Sequence, residues 1–316
     1  MQSETLKPML ARDFIESKIK FPCLVQPKID GVRALNQNGK LVGRSLKQFT
    51  NKHVTETFSK GIYSGFDGEM ILDANPAAPN LCRLTSGAMR RFEGKDIFTW
   101  WVFDYVTDST INLPYTQRMQ ALSEHLRTAV GMLDSRFIRV VPSVLVNNIQ
   151  ELNALDEKHL NDGYEGSIIR DPLALYKSGR SDSKMQVWRV KRFLDSEFLI
   201  TRVNEGQHNA NEAKVNELGR TERSTHQENM QPNGLLGSFE GILCDDVLDQ
   251  GVVILKKGTS ITVSPGNLTA SERKAVFENP DDYIGQVGKF KLFPKGTLDK
   301  PRFPTFISLR NAEDIS

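Results

Sequence analysis

Lys28-Ile29-Asp30-Gly31-Val32-Arg33 decides how this chain is read. Within six residues stand an amine, an acid, a glycine and a guanidinium. These are what a covalent nucleotidyl-transfer site needs: a nucleophile, a carboxylate that can orient cations, backbone room and a charge clamp. A free lysine has a pKa of about 10.4, so only about one amine in a thousand is an unprotonated nucleophile near neutrality, and its surroundings must supply the activation. The same residues also read as a surface hairpin, because Asp-Gly is a turn signal and Lys and Arg flank many turns. The stretch alone supports both readings.

Five further clusters follow Lys28. Phe66-Asp67-Gly68-Glu69 ends a strand in acid, and Tyr164-Glu165-Gly166-Ser167-Ile168-Ile169-Arg170 sets another acid before an apolar strand. Two carboxylates near a phosphate-handling lysine can hold ribose hydroxyls and a hard divalent ion, although each alone also reads as the cap of a turn. Trp100-Trp101-Val102-Phe103-Asp104-Tyr105 reads as core, with one ring able to stack on a purine if it faces a pocket. Alternation puts Arg189 and Lys191 on one face of a strand, either a phosphate-binding pair or a solvated edge. Last comes Pro301–Arg310, an apolar strand bracketed by Arg302 and Arg310.

Composition sets the frame. Of 316 residues, 39% are hydrophobic and 25% charged, as in an ordinary globular protein of two domains. Lys+Arg 41 against Asp+Glu 39 leaves +2, so a polyanion partner would have to be met by local clusters rather than bulk charge. Cys23, Cys82 and Cys244 lie far apart without CxxC spacing and read as reduced thiols of an intracellular protein. The five histidines show no metal-ligand spacing and read as surface or packing residues. No apolar run is long enough for a membrane span, and Met1 to Lys20 lacks a signal-type core, so a cytosolic compartment is expected.

Short apolar runs at Leu24-Val25, Leu41-Val42, Phe66–Leu72, Thr99–Val106, Ile138–Val141 and Gly166–Ile169 predict strands. Met119, Leu122, Leu126 and Ala129 recur at helical spacing, as do Ile149, Leu152 and Leu155, the latter behind an Asn148/Glu151 capping box. An α/β or α+β domain over 1–192 follows. Beyond it, Glu197–Val203, Leu236–Leu243, Val252–Leu255, Ser260–Val263, Val287–Phe293 and Phe303–Leu309 predict strands, with a helix over Ser271–Glu278 capped by Thr269. This is the pattern of a small Greek-key barrel of the OB type over 193–316. Asn204–Gly234, polar and nearly free of apolar pairs, reads by composition as a disordered loop.

The order KxDGxR, Gly43-Arg44-Ser45, FDGE, VFDY, YEGSIIR, RVK and RFPTFISLR resembles the motifs of the ATP-dependent DNA ligases, over nearly the whole chain. It is most similar to the minimal two-domain ligases of viruses and phages, through Phe103–Asp108, Thr225-His226 and the PRFP run as well. The resemblance implies an α+β nucleotidyltransferase (ATP-grasp-like adenylation) domain followed by an OB-fold domain. It implies that Lys28 carries AMP, with Asp30 beside it, and that Arg33 contacts the nucleotide, Glu69 the ribose and Phe103 the adenine. Glu165 would bind Mg2+ (or Mn2+), Arg189 and Lys191 the nucleotide phosphate, and Arg44 and Arg180 the 5′-phosphate of the nick. Asn204–Gly234 falls where viral ligases carry a latch that orders on duplex DNA, and Lys214, Arg220 and Arg223 would suit a clamp tracking the backbone. ATP would be the cofactor, nicked duplex DNA the partner, and the protein a monomer of the cytoplasm, bacterial or of an infected host cell. Two departures stand out: Arg189 where the family has lysine, and Asn311-Ala312-Glu313-Asp314 in place of an Asp-Lys ending. The competing readings are an RNA ligase or mRNA-capping guanylyltransferase of the same superfamily, and a non-catalytic OB-fold nucleic-acid binder.

Overall fold

The computed structural model describes residues 6–72, 75–78, 80–129, 137–182, 184–190, 193–249, 251–293 and 302–310, the Arg302 side chain excepted. The chain separates into two units, Met1–Lys191 and Arg192–Ser316.

Among the described residues, the first unit holds ten strands: β1 Arg12–Asp13, β2 Cys23–Pro27, β3 Val32–Gln37, β4 Lys40–Gly43, β5 Phe66–Leu72, β6 Phe98–Tyr105, β7 Ile138–Val140, β8 Val144–Val146, β9 Ser167–Arg170 and β10 Val187–Arg189. They form two five-stranded sheets, β1-β10-β9-β2-β8 and β4-β3-β5-β6-β7. The helices α1 Lys52–Phe58, α2 Leu81–Arg90, α3 Tyr115–Thr128 and α4 Ile149–Asn161 join them. The second of these sheets is held by an aromatic core in which Phe58, Tyr63, Phe66 and Trp100 meet edge-on or tilted at 5.7–6.2 Å, with Leu122 of α3 packed in. Each such side chain contributes on the order of 1.5–3 kcal/mol by leaving water. The first sheet packs α4 through Leu152 and Leu155 onto Cys23, Val25, Ile169 and Trp188.

Strand β3, inside its sheet between β4 and β5, escaped the sequence reading because VRALNQ looks half polar. Its Asn36 is buried, and its amide donates to Phe58 O at 2.7 Å and Lys60 O at 3.1 Å, so the polar group is satisfied inside. The Asn148 cap on α4 forms as expected, its Oδ1 accepting from Glu151 N at 2.9 Å. The return bond is displaced by one residue: the Glu151 carboxylate accepts from Asn147 N rather than Asn148 N.

The second unit holds β11 Leu194–Asn209, β12 Ala213–Val215, β13 Thr221–Arg223, β14 Met230–Leu243, β15 Val247–Asp249, β16 Val252–Leu255, β17 Ser260–Val263, β18 Val287–Phe293 and β19 Arg302–Leu309, with α5 Ala270–Glu278 between β17 and β18. Five strands form one sheet in the order β17-β14-β11-β18-β19. Its two edges meet beyond β17 at a parallel bridge between Ser264 and Thr305, where Ser264 N donates to Pro304 O and Phe306 N to Ser264 O, both at 2.9 Å. Phe198, Phe239, Phe290 and Phe306 fill the interior. The Thr269–Glu272 capping box of α5 is complete.

The reading of Asn204–Gly234 as a disordered loop is overturned. Strands β11 and β14 stay paired from Asn204↔Ser238 out to Asn209↔Met230, and β12 and β13 form a hairpin beyond them. Composition misled because these polar side chains bond to one another and to backbone, which a count of apolar residues does not register.

Candidate active site

Lys28 lies in the link between β2 and β3, where the chain passes from one sheet of the first unit to the other. The hairpin reading of Asp30-Gly31 therefore fails: β2 pairs with β8 and β9, and β3 with β4 and β5. Gly31 is needed for close approach, since a Cβ there would lie 2.6 Å from Met70 O and 2.9 Å from Ile71 Cγ2. Lys28 N donates to Gly166 O at 2.8 Å, and Glu165 N donates to Lys28 O at 3.2 Å. Gly166 has φ +136°, a conformation a side chain would strain. This backbone clasp sets the Lys28 amine against the Glu165 carboxylate in an ion pair. The two side chains keep 22% and 18% of their exposure, enough for a ligand to reach the amine.

Strands β3 and β5 pair Arg33 with Glu69. Arg33 makes a two-pronged ion pair with Asp67, Nε–Oδ1 2.5 Å and Nη2–Oδ2 2.7 Å, and its guanidinium lies 4.5 Å from the Phe103 ring centre. Burial disfavours the Arg33 charge, but Asp67 outweighs it and holds the group above its ordinary value. Glu69 has no such fork. Burial pushes its carboxyl up to about 7, with Arg33 and Lys28 working against the rise and Asp67 and Asp30 adding to it.

Phe103 owes its orientation to a β-bulge. Asp67 opposes Asp104 but Gly68 opposes Val102, which leaves Phe103 as the extra residue on β6. Trp101 and Phe103 thus pack with Ile29, Ile71 and Tyr164, while Trp100, Val102 and Tyr105 stay with the aromatic core. Behind Phe103 runs a buried network that the sequence reading missed. Asp104 accepts from Arg118 at 2.7 and 3.0 Å and from Arg170 at 3.2 Å, and Arg170 Nε donates to Gln26 Oε1 at 3.0 Å. Gln26 Nε2 donates to Tyr115 OH and Ser143 Oγ, both at 2.9 Å. One signal was available: Tyr115, Arg118 and Leu122 share a helix face, so Arg118 interrupts an apolar stripe.

The cations Arg44, Arg180 and Arg189 belong to the same unit. Arg44 follows β4 in a turn closed by Leu46 N donating to Gly43 O at 2.9 Å. Burial lowers its guanidinium, and the charges of Arg189, Arg33 and Arg180 lower it further, so three other cations bear on Arg44. Such crowding favours an anion. Arg180 is fixed by backbone bonds between Leu10 and both Gly179 and Ser181, and Arg189 pairs with Asp13 at 2.6 Å. Lys191 lies outside the described residues. In the second unit, Arg310 pairs with Glu197.

An amine, carboxylates and crowded arginines thus gather in one unit, a set suited to a phosphate ester of a sugar. The model of the ATP dependent DNA ligase domain family matches residues 8–191, and the chain belongs to that family. It is 26% identical over 196 residues to the DNA ligase of African swine fever virus (strain Badajoz 1971 Vero-adapted), which covers 58% of this chain and 45% of the relative. It is 25% identical over 205 residues to the DNA ligase of Escherichia phage T7, covering 61% and 51%. The chain spans about half the length of the curated relatives it matches. The crystal structure of Chlorella virus DNA ligase-adenylate superposes with a TM-score of 0.52 at 27% identity, over 96% of this chain and 99% of that one.

Proposed function

We propose that this protein is an ATP-dependent DNA ligase that seals 3′-hydroxyl/5′-phosphate nicks in duplex DNA. The observation that carries the reading is the Lys28 amine clasped beside Glu165 in a unit that belongs to the ATP dependent DNA ligase domain family. Lys28 Nζ loses a proton and attacks the α-phosphorus of ATP; a phosphoramide N–P bond forms and the P–O bond to pyrophosphate breaks. The 5′-phosphate oxygen at the nick then takes the AMP from Lys28. The 3′-hydroxyl attacks that 5′-phosphorus, displaces AMP and seals the strand. Positioning and charge neutralisation carry most of the catalysis at each phosphorus.

In this reading Glu69 contacts the ribose with Asp30 beside Lys28, Phe103 stacks on adenine, Arg33 contacts the nucleotide, and Arg189 and Lys191 meet the nucleotide phosphate. Arg44 and Arg180 take the 5′-phosphate of the nick. Among the described residues no three His, Cys, Asp or Glu side chains gather as a metal site. Glu165 would hold a hard divalent ion, and bound there Mg2+ or Mn2+ would neutralise phosphate charge.

We read the second unit as an OB-fold domain. The support is its strand order, the helix between the third and fourth strands of its sheet in chain order, and the bridge joining its edges. Its β12–β13 hairpin would lie against the DNA backbone through Lys214 and Arg220, with Arg302 and Arg310 serving the same domain. No helix among the described residues is long and apolar enough to cross a membrane, and a monomer in the cytoplasm is the expected form.

The test is sealing of plain and pre-adenylylated nicks by wild type and Lys28→Ala. The variant should fail on plain nicks and retain sealing of pre-adenylylated ones. Plain-nick sealing at the wild-type rate refutes the assignment, and a covalent adduct with GTP in place of ATP would move it to a capping enzyme.

A further inference from the structure

The hairpin of the second unit has no hydrophobic core. Every residue of β12 and β13 is exposed, Val215 at 77%. A segment of this kind cannot be held by apolar burial, and composition alone would leave it unfolded. One residue at its base is different in kind. Asn211 is 6% exposed, the only buried residue between Gln207 and Leu235.

Its side chain and backbone bind both legs of the hairpin. Asn211 Nδ2 donates to Ser224 O and His226 O, both at 2.9 Å, and to Asn209 Oδ1 at 2.9 Å. Its Oδ1 accepts from Asn229 Nδ2 at 3.1 Å, its backbone N donates to Asn209 Oδ1 at 3.0 Å, and its carbonyl accepts from Arg223 Nη1. Asn209 Nδ2 adds a bond to Ser224 O at 2.7 Å. The outgoing leg at 209–211 and the returning leg at 223–229 are thus tied chiefly through the Asn211 amide, with Asn209 Nδ2 and a backbone bond from Ala210 N to Asn229 O at 2.9 Å beside it.

At the far end the hairpin closes on itself. Asn216 N donates to Arg220 O at 2.9 Å, and Asn216 Oδ1 accepts from Leu218 N and Arg220 N, both at 3.1 Å. Both ends of the arm are therefore locally fixed, and Lys214 and Arg220 are carried between them.

We propose that Asn211 is a positioning residue for DNA engagement, holding residues 212–223 as an arm formed before any duplex is bound. This rests on reading the protein as a DNA ligase whose hairpin lies against duplex DNA. Its physical consequence is that the ordering entropy of a dozen residues is settled in the free protein, so it is not subtracted from the binding free energy.

The test uses the full chain and three proteins: wild type, Asn211→Ala, and Asn211→Ala carrying Val215→Cys with Thr221→Cys. Val215 and Thr221 face each other across the hairpin. They sit one step from the hydrogen-bonded Asn216/Arg220 closure and so form a non-hydrogen-bonded pair, the closer kind, suited to a disulfide. Hydrogen exchange of the 213–223 amides is read in the free proteins, and affinity is measured on a nicked duplex at fixed salt.

Wild-type amides in the arm should be protected without DNA. Asn211→Ala should lose that protection and bind the nick roughly tenfold more weakly, as expected when an ordered segment must be re-ordered on binding. The oxidised double-cysteine form should regain both, and its reduced form neither. Random-coil exchange of the wild-type arm overturns the pre-formed arm. Unchanged affinity of Asn211→Ala beside normal wild-type binding overturns the role of Asn211 alone. Wild-type protein that binds no nicked duplex overturns the functional reading and the arm's role with it.

Discussion

Replacing Asp104 by Asn should destabilise the first unit far more than an isosteric change suggests. The Asp104 carboxylate is 1% exposed and receives both prongs of Arg118, itself buried, plus one N–H of Arg170. Two guanidiniums share one anion, so losing its charge strands two buried cations, and the new amide turns N–H donors toward N–H donors. Breaking a buried ion pair on one side costs about 3–5 kcal/mol. For a unit of this size each kcal/mol lowers the melting point by about 2–4 °C, giving a fall of roughly 6–20 °C. All three tryptophans, Trp100, Trp101 and Trp188, lie in the first unit, so tryptophan fluorescence on heating reports this transition and not that of the second. A pH series adds a second arm. Burial alone would raise the Asp104 carboxyl, but the hydrogen bonds and charges of Arg118 and Arg170 hold it below its ordinary value. A lowered carboxyl contributes stability that is present above the unfolded-state value and lost as pH falls through the folded one. Wild type and variant should therefore differ at pH 7 and converge in acid, where protonated Asp104 resembles Asn. A melting point within 2 °C of wild type at pH 7 would refute the reasoning.

Two other consequences follow from the site. Glu69, raised to about 7, holds a proton in the folded protein that the unfolded chain releases from the usual carboxylate range upward; its contribution to stability therefore falls as pH rises through that window. Urea midpoints at pH 5 and pH 8 should diverge in favour of Glu69→Gln at the higher pH, and equal differences at both would contradict the assignment. Arg44→Ala should lower the slope of log affinity against log salt for a nicked duplex by about one, and should erase the preference for a 5′-phosphate over a 5′-hydroxyl at the nick.

What was legible in the sequence were features set by local chemistry. Phe66–Leu72 and Val287–Phe293 read as short apolar segments and become strands at those bounds, and Thr269 with Glu272 makes a complete capping box. The KIDGVR and YEGS stretches announced their acids and amine, and the structure joins them by the bonds between Lys28 and Glu165–Gly166. What was hidden depends on partners distant in sequence. Arg118 looks like a surface residue of a helix until Asp104 and Arg170 are folded around it. The alternation of the aromatic strand could not reveal that a bulge at Phe103 sets it apart from Tyr105. The same limit explains the hairpin, whose order comes from side-chain amides bonded across a turn and leaves no trace in hydrophobic pattern.

The most direct measurement is to incubate the protein with ATP and Mg2+, digest it, and locate the nucleotide adduct by mass spectrometry. The account predicts one AMP, in an acid-labile phosphoramide bond on Lys28. An adduct on any other side chain, or none from folded protein supplied with metal and ATP, would contradict it.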